Sequence, residues 1–234
     1  MTTRRVSLAV ALLCASVVAT AEEPASGPKL RLGPSEALNE PGKATVSSEA
    51  QKLSNRALAA FQKGNLGSAR KDFQQVLKLA PNNLATTINL GLLEYREKHY
   101  AEAEQLLEKA VETAPKAGLA WLILGVIRYD QEKLDGALAA LAQSVYFEPK
   151  DARAHHYLGV TIGRKGWYLG AEAQMRLALE LQPDYAEVHF NLAVFYLQRV
   201  PPSVELARRH YQRAVDLGAS ADPDIEKKLS KPIN

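Results

Sequence analysis

Between residues 50 and 183 the apolar positions fall on helical spacing, and the spacing recurs. Trp121, Leu124, Val126 and Ile127 carry helical spacing in one stretch, and Ala103, Leu106, Leu107, Ala110 and Val111 in another. Breaks separate such stretches, as at Lys63-Gly64-Asn65 and Lys165-Gly166. Pro81, Pro115, Pro149 and Pro183 each stand 34 residues from the next, and each ends a helical stretch, because proline cannot continue one. Leu90-Gly91, Leu124-Gly125 and Leu158-Gly159 hold the same 34-residue register, as do Ala69, Ala103, Ala137 and Ala171. The pattern predicts pairs of helices joined by tight turns.

The small residues explain how the two helices of a pair meet. A glycine inside a helix costs about 1 kcal/mol against alanine, which makes sense where another helix passes close by. Gly91, Gly125 and Gly159 are predicted to lie at such crossings, opposite the alanines of the second helix. A lone helical pair cannot bury its outer faces, so successive pairs must stack.

These units resemble tetratricopeptide repeats, whose 34-residue pattern sets Trp, Leu-Gly, Tyr, Ala, Phe, Ala and Pro at fixed offsets. The unit 50–83 carries Ala69, Phe73 and Pro81 but has Arg56-Ala57 in place of Leu-Gly. Units 84–117, 118–151 and 152–185 carry the pattern more fully. A fifth, 186–221, begins with Leu192-Ala193 and Tyr196 and then runs two residues late at Ala207, Tyr211 and Ala214, after Val200-Pro201-Pro202. The resemblance implies an all-α, right-handed α-solenoid of antiparallel helical hairpins over residues 48–219.

The flanks read differently. Residues 1–21 read as a secretory signal: Arg4 and Arg5, an apolar run of 13 residues from Val6 to Val18, then Ala19-Thr20-Ala21 as the expected cleavage site before Glu22. The run falls short of the ~20 residues that span a bilayer, so the mature chain is expected to have no membrane span. Residues 22–47, with Pro24, Pro28, Pro34 and Pro41, read as a flexible tether. Ser48 with Gln51 suggests a capping box where helix begins. Within 222–234, Asp222-Pro223 suggests an N-cap and first helical turn, with Ile225 and Leu229 closing the end of the stack.

Composition narrows the chemistry. The chain has 234 residues and a net charge of +3, which falls to +1 once Arg4 and Arg5 leave, with no basic stripe of the kind nucleic-acid binding needs. The only cysteine, Cys14, lies in the signal, so the mature chain offers no thiolate. No Gly-x-Ser-x-Gly, His-Glu-x-x-His or phosphate-binding loop is present. No cofactor, metal or catalytic residue is assigned. His155 and His189 share one repeat position with Trp121, and with His156 they are the nearest thing to a metal-binding or enzymatic constellation; packing is the favoured reading.

The resemblance places partner binding on the concave face, lined by the first helix of each pair, at unit positions 2, 5, 6, 9, 12 and 13. These supply Asn55, Asn89, Tyr95, Arg96, Tyr129, Asp130, Arg153, His156, Tyr157, Arg164, Phe190, Asn191 and Gln198. Asparagine at position 6 suits a peptide backbone because its amide both donates and accepts, although Ile123 and Tyr157 interrupt the series. The expected function is a non-catalytic protein–protein interaction module or scaffold for a protein or peptide partner in the cell envelope, the periplasm first. A structural subunit or homo-oligomer using the hairpin faces or the end of the stack is the alternative.

Overall fold

The computed structural model describes residues 47–230. The expected signal 1–21, almost all of the tether and the last four residues lie outside the described residues. Eleven helices and no strands are found among those described. They form five hairpins: α1 (Ser48–Gln62) with α2 (Leu66–Leu79), α3 (Leu84–Arg96) with α4 (Tyr100–Thr113), α5 (Gly118–Asp130) with α6 (Leu134–Phe147), α7 (Ala152–Arg164) with α8 (Tyr168–Leu181), and α9 (Ala186–Gln198) with α10 (Val204–Asp216). A short α11 (Pro223–Leu229) follows. No described helix is long and apolar enough to cross a membrane.

The start points carry the period into space. Leu84, Gly118, Ala152 and Ala186 open first helices 34 residues apart, and Leu66, Tyr100, Leu134 and Tyr168 open second helices on the same step. α10 opens at Val204, two residues late, because the loop through Val200, Pro201 and Pro202 is longer; Ser203 closes it by donating its amide to the Tyr196 carbonyl at 2.9 Å.

The glycine crossings are as close as the sequence demands. A Cβ on Gly91 would stand 1.9 Å from Leu107 Cδ2, and one on Gly125 would stand 2.5 Å from Leu141 Cγ. At Gly159 the nearest atoms, of Ala171 and Met175, are 3.1 Å away, a looser fit. Leu107, Leu141 and Met175 are all fully buried and occupy one repeat position.

The turns inside the hairpins need a residue in the left-handed region. Gly64 and Gly166 supply it at φ +77° and +83°, but Lys98 and Glu132 occupy the same position in the second and third hairpins at φ 63° and 59°. A side chain there is strained by roughly 1–2 kcal/mol relative to glycine.

The ends differ slightly from expectation. The first helix is capped by Ser47, whose Oγ accepts from the Ala50 amide at 3.2 Å, while Gln51 donates to Asn55. The expected Ser48/Gln51 capping box is therefore replaced by a single serine cap one residue earlier. At the other end Asp222 accepts from the amides of Asp224 and Ile225, with Pro223 in the first turn, and Ile225 and Leu229 are buried.

Stacking curves the array. First helices of successive hairpins touch one another, whereas contacts among second helices are far sparser, so the first helices form the inner wall. Between hairpins, a second helix meets the next first helix through one recurring pair of positions. Arg70 binds Glu94 through paired bonds of 2.7 and 2.8 Å; Glu104 accepts from Arg128 at 2.9 Å; and Glu172 accepts from Tyr196 at 2.9 Å. At the intervening junction the same positions hold Leu138 and Ile162, both half-buried against the core.

Candidate functional site

The inner wall is tied together by polar links from one hairpin to the next, each spanning 35 residues. Tyr95 on α3 donates its hydroxyl to Asp130 Oδ2 on α5 at 2.7 Å. Tyr129 on α5 accepts from Arg164 on α7 at 3.4 Å, with the guanidinium 5.5 Å from the ring centroid. His156 on α7 meets Asn191 on α9 at 2.9 Å. The spacing is one repeat plus one residue, because neighbouring helices present adjacent positions to each other.

Electrostatics follow from the burial of these groups. Burial pushes the Asp130 carboxyl above its usual range, against the pull of the Tyr95 hydrogen bond. Burial likewise raises the Tyr95 and Tyr157 phenols, and Tyr157 feels Asp130, Glu187 and Arg153 around it. His156 shows why it stays neutral. With the Asn191 amide nitrogen donating to Nε2, the ring proton sits on Nδ1 and is donated to the Tyr185 oxygen at 2.8 Å. A second proton would point at the Asn191 NH₂, and burial lowers the ring pKa to about 4.

The structure spreads the expected binding residues over three environments. Asn55 and Arg96 are exposed, the latter stacked 4.3 Å from the Phe61 ring centroid. Tyr95, Asp130, Arg153, Tyr157, Arg164, Asn191 and Gln198 are half-buried, with Arg153 held by Asp151 of its own loop. Asn89, Tyr129, His156 and Phe190 are buried, which corrects the expectation that they face an open groove. The cause is curvature: converging first helices cover positions that a straight stack would expose. Phe190 instead faces its own hairpin, against Tyr211. Ile123, the interruption in the asparagine series, is fully buried in the core.

One inner-wall residue escaped the sequence reading. Glu187 sits at position 2 of the fifth hairpin, the position that Arg153 holds in the fourth. It is half-buried, and its Oε2 has no hydrogen-bond partner among the described residues. Burial raises its carboxyl above the usual range. The inward-position rule that selected Arg153 selects Glu187 equally.

The histidines do not converge. Trp121 donates its indole N–H to the Pro115 carbonyl at 2.7 Å, and His155 and His189 place Nε2 3.0 Å from the carbonyls of Pro149 and Pro183. All three fasten the start of a hairpin to the proline that ends the one before. Their remaining contacts diverge: His155 Nδ1 lies 2.8 Å from Gln174, and His189 Nδ1 lies 2.9 Å from His210 Nδ1. A different group, Glu94, Glu97 and His99, brings three possible metal ligands within reach of one another. The Arg70 guanidinium already lies among them, bonded to both carboxylates. It supplies the positive charge there.

Comparison with known proteins agrees with this geometry. Tetratricopeptide repeat models match residues 48–116 in one case and 88–155 with 163–222 in another. No curated protein matches the chain. Among solved structures, MamA from Desulfovibrio magneticus RS-1 is similar at 18% identity and a TM-score of 0.65, over 74% of this chain and 97% of that one. YrrB, described as a TPR protein with an unusual peptide-binding site, is similar at 23% identity and a TM-score of 0.59, over 77% of this chain and 90% of that one. At these identities the likeness shows the fold alone. With two repeat models covering most of the stack, the chain belongs to the tetratricopeptide repeat family.

Proposed function

We propose that this protein is a non-catalytic scaffold that binds a protein or peptide segment along the inner wall of its stack, in the cell envelope. In this reading residues 1–21 direct export and are removed before Glu22, and residues 22–47 tether the stack.

Glu187 carries the reading. A half-buried carboxylate oxygen without a hydrogen-bond partner is costly, by about 1–3 kcal/mol, and a partner's N–H would relieve that cost. Beside it Tyr157 supplies a large, stiff contact surface and Arg153 a cation one hairpin earlier, while Arg96 lies exposed on the second hairpin, farther along the same wall. The cross-hairpin links hold this wall in shape beforehand, so little ordering is needed on binding. That YrrB has a peptide-binding site on a similar fold supports the same use here.

The test is capture from an envelope extract by the wild-type chain and by a variant carrying Arg96→Glu, Arg153→Glu and Glu187→Lys. The proposal expects a captured chain to be lost by the variant while the helical circular dichroism stays unchanged. Equal capture by both proteins sinks it. Export is checked separately by the mass of the protein recovered from the envelope, which should begin at Glu22.

A further inference from the structure

The outer face of α8 differs from that of every other second helix. Three positions on this face are exposed in all five hairpins. In order along the chain, the first holds Gly67, Ala101, Asp135, Leu169 and Glu205; the second holds Lys71, Gln105, Ala139, Ala173 and Arg209; the third holds Gln75, Lys109, Gln143, Leu177 and Arg213. Only the fourth hairpin makes all three apolar with leucine at both ends. Leu169 is 80% exposed, Leu177 39% and Leu181 40%, and Trp167 beside them is 55% exposed. Isolated exposed leucines are ordinary, but a continuous helical stripe with a tryptophan at its end is a contact surface.

The stripe is symmetric about its centre. Leu169 and Leu177 lie four residues on either side of Ala173, one turn each way, and the middle offers only Ala173 and Gly170, both exposed. Small residues at the centre let two helices approach closely, and leucines on both sides then interlock. The charges follow the same symmetry. Glu180 lies seven residues after Ala173, roughly 10 Å along the axis at 1.5 Å per residue, and Lys165 stands in the turn just before the other end of the helix, which opens at Tyr168. Two α8 helices running antiparallel therefore set Glu180 of each against Lys165 and the start of α8 in the other. That helix start has no side-chain cap, and Lys165, bonded to Asp135, adds its charge there. Glu180 has no ion-pair partner of its own among the described residues.

We propose that two copies of this chain pair through α8, antiparallel and centred on Ala173. A second copy supplies what the stripe lacks: a matching pair of leucines, a small centre and complementary charge at both ends. The surface lies on the outer face, so pairing leaves both inner walls open, and the proposal stands apart from partner binding there.

Light scattering across a dilution series should show a dimer whose dissociation constant rises at least tenfold with Leu177→Asp, with helical circular dichroism unchanged. Gln105→Asp, at the equivalent outer position of the second hairpin, should leave it unaltered. Cysteine cross-linking in a Cys14→Ser background tests the geometry. Ala173→Cys should form a covalent dimer under mild oxidation far faster than Gln105→Cys. A mixture of Leu169→Cys and Leu177→Cys should give mixed dimers, while Leu169→Cys alone gives few. A monomer at all concentrations, a dimer indifferent to Leu177→Asp, or cross-linking of Leu169→Cys to itself as readily as to Leu177→Cys overturns the proposal.

Discussion

The N-terminal core, from Ala57 to Leu158, is aliphatic at its centre, where Ile88, Leu92, Leu107, Leu122, Ile123, Leu124, Ile127 and Leu141 fill the space between hairpins. The C-terminal core, from Ala152 to Leu229, is aromatic, with Tyr185, Phe190, Phe195, Tyr196 and Tyr211; Phe190, Phe195 and Tyr211 stand where Leu122, Ile127 and Leu141 stand two hairpins earlier. The two meet on α7, where Val160 and Ile162 touch both. Aliphatic layers are specified by volume alone. Aromatic layers with hydroxyls and imidazoles need their polar tips bonded, as Tyr196 is to Glu172 and His189 to His210. One repeat pattern thus supports two kinds of stability, one set by packing and the other also by protonation.

The largest break in that contrast should come from truncation at the tightest crossing. Leu141→Ala is expected to cost about 3–4 kcal/mol, because Leu141 is fully buried against Gly125 and the surrounding helices cannot close the gap. Met175→Ala, at the same position in the C-terminal core, should cost nearer 2 kcal/mol, since the crossing at Gly159 is looser and methionine is the more adaptable side chain. Urea unfolding of both variants measures the difference; equal losses would erase it.

Acid should separate the cores next. His156 and His210 are both held near a pKa of about 4, mainly by burial, and His189 is lowered for the same reason. An imidazole in the unfolded chain titrates near 6.5. The unfolded state therefore takes up protons first, and the stability these rings contribute is complete above about pH 6.5 and is lost as pH falls towards about 4. The loss from His156 alone is at most about 3 kcal/mol over that window. Asp130 and Glu187 shift the other way, so their protonation offsets part of it. Trp121 lies in the N-terminal core and Trp167 at the start of α8, and the chain has only these two tryptophans. Single-tryptophan variants should show Trp167 responding at higher pH than Trp121. His156→Gln should flatten the fall, and an unchanged acid limb in that variant would remove His156 as its source.

A smaller effect tests the junctions. Arg70 lowers the Glu94 carboxyl by hydrogen bonding, and Glu94 is buried. Arg70→Ala should cost about 2 kcal/mol by stranding that charge. The exchange Arg70→Glu with Glu94→Arg should recover much of the loss, because Glu104 and Arg128 make the reversed arrangement one junction later. A double variant no more stable than Arg70→Ala would deny that the two junctions are equivalent. Smallest of all, Lys98→Gly should raise stability by about 0.5 kcal/mol through relief of its left-handed backbone, less the greater freedom of glycine in the unfolded chain. A lower melting temperature would contradict that strain.

Much of this architecture was legible in the residues because a repeat states its rule several times. The 34-residue step located the helix starts, the glycines located the crossings, and Asp222-Pro223 located α11. The equivalence of His155 and His189 with Trp121 pointed to packing, and the shared bond to a proline carbonyl supplies the reason. The inner wall was less legible. Whether Asn89 or Tyr129 is covered depends on how sharply the stack curves, and curvature sums small angles between hairpins that no local pattern records. Glu187 holds the same inward position as Arg153, and what sets it apart, an enclosed carboxylate oxygen with no partner among the described residues, depends on burial that no local pattern records.

The junction pairs carry a consequence for how the chain assembles. Hairpins so alike invite an error in which one docks on its neighbour's neighbour, skipping a unit, a hazard characteristic of repeat arrays. Docking α2 on α5 would set Arg70 against Arg128, and docking α4 on α7 would set Glu104 against Ile162. The first brings two cations together, and the second buries a carboxylate without a partner. The Arg70–Glu94 and Glu104–Arg128 junctions therefore act as addresses, and over the first three hairpins the nascent chain is steered to count its own repeats correctly.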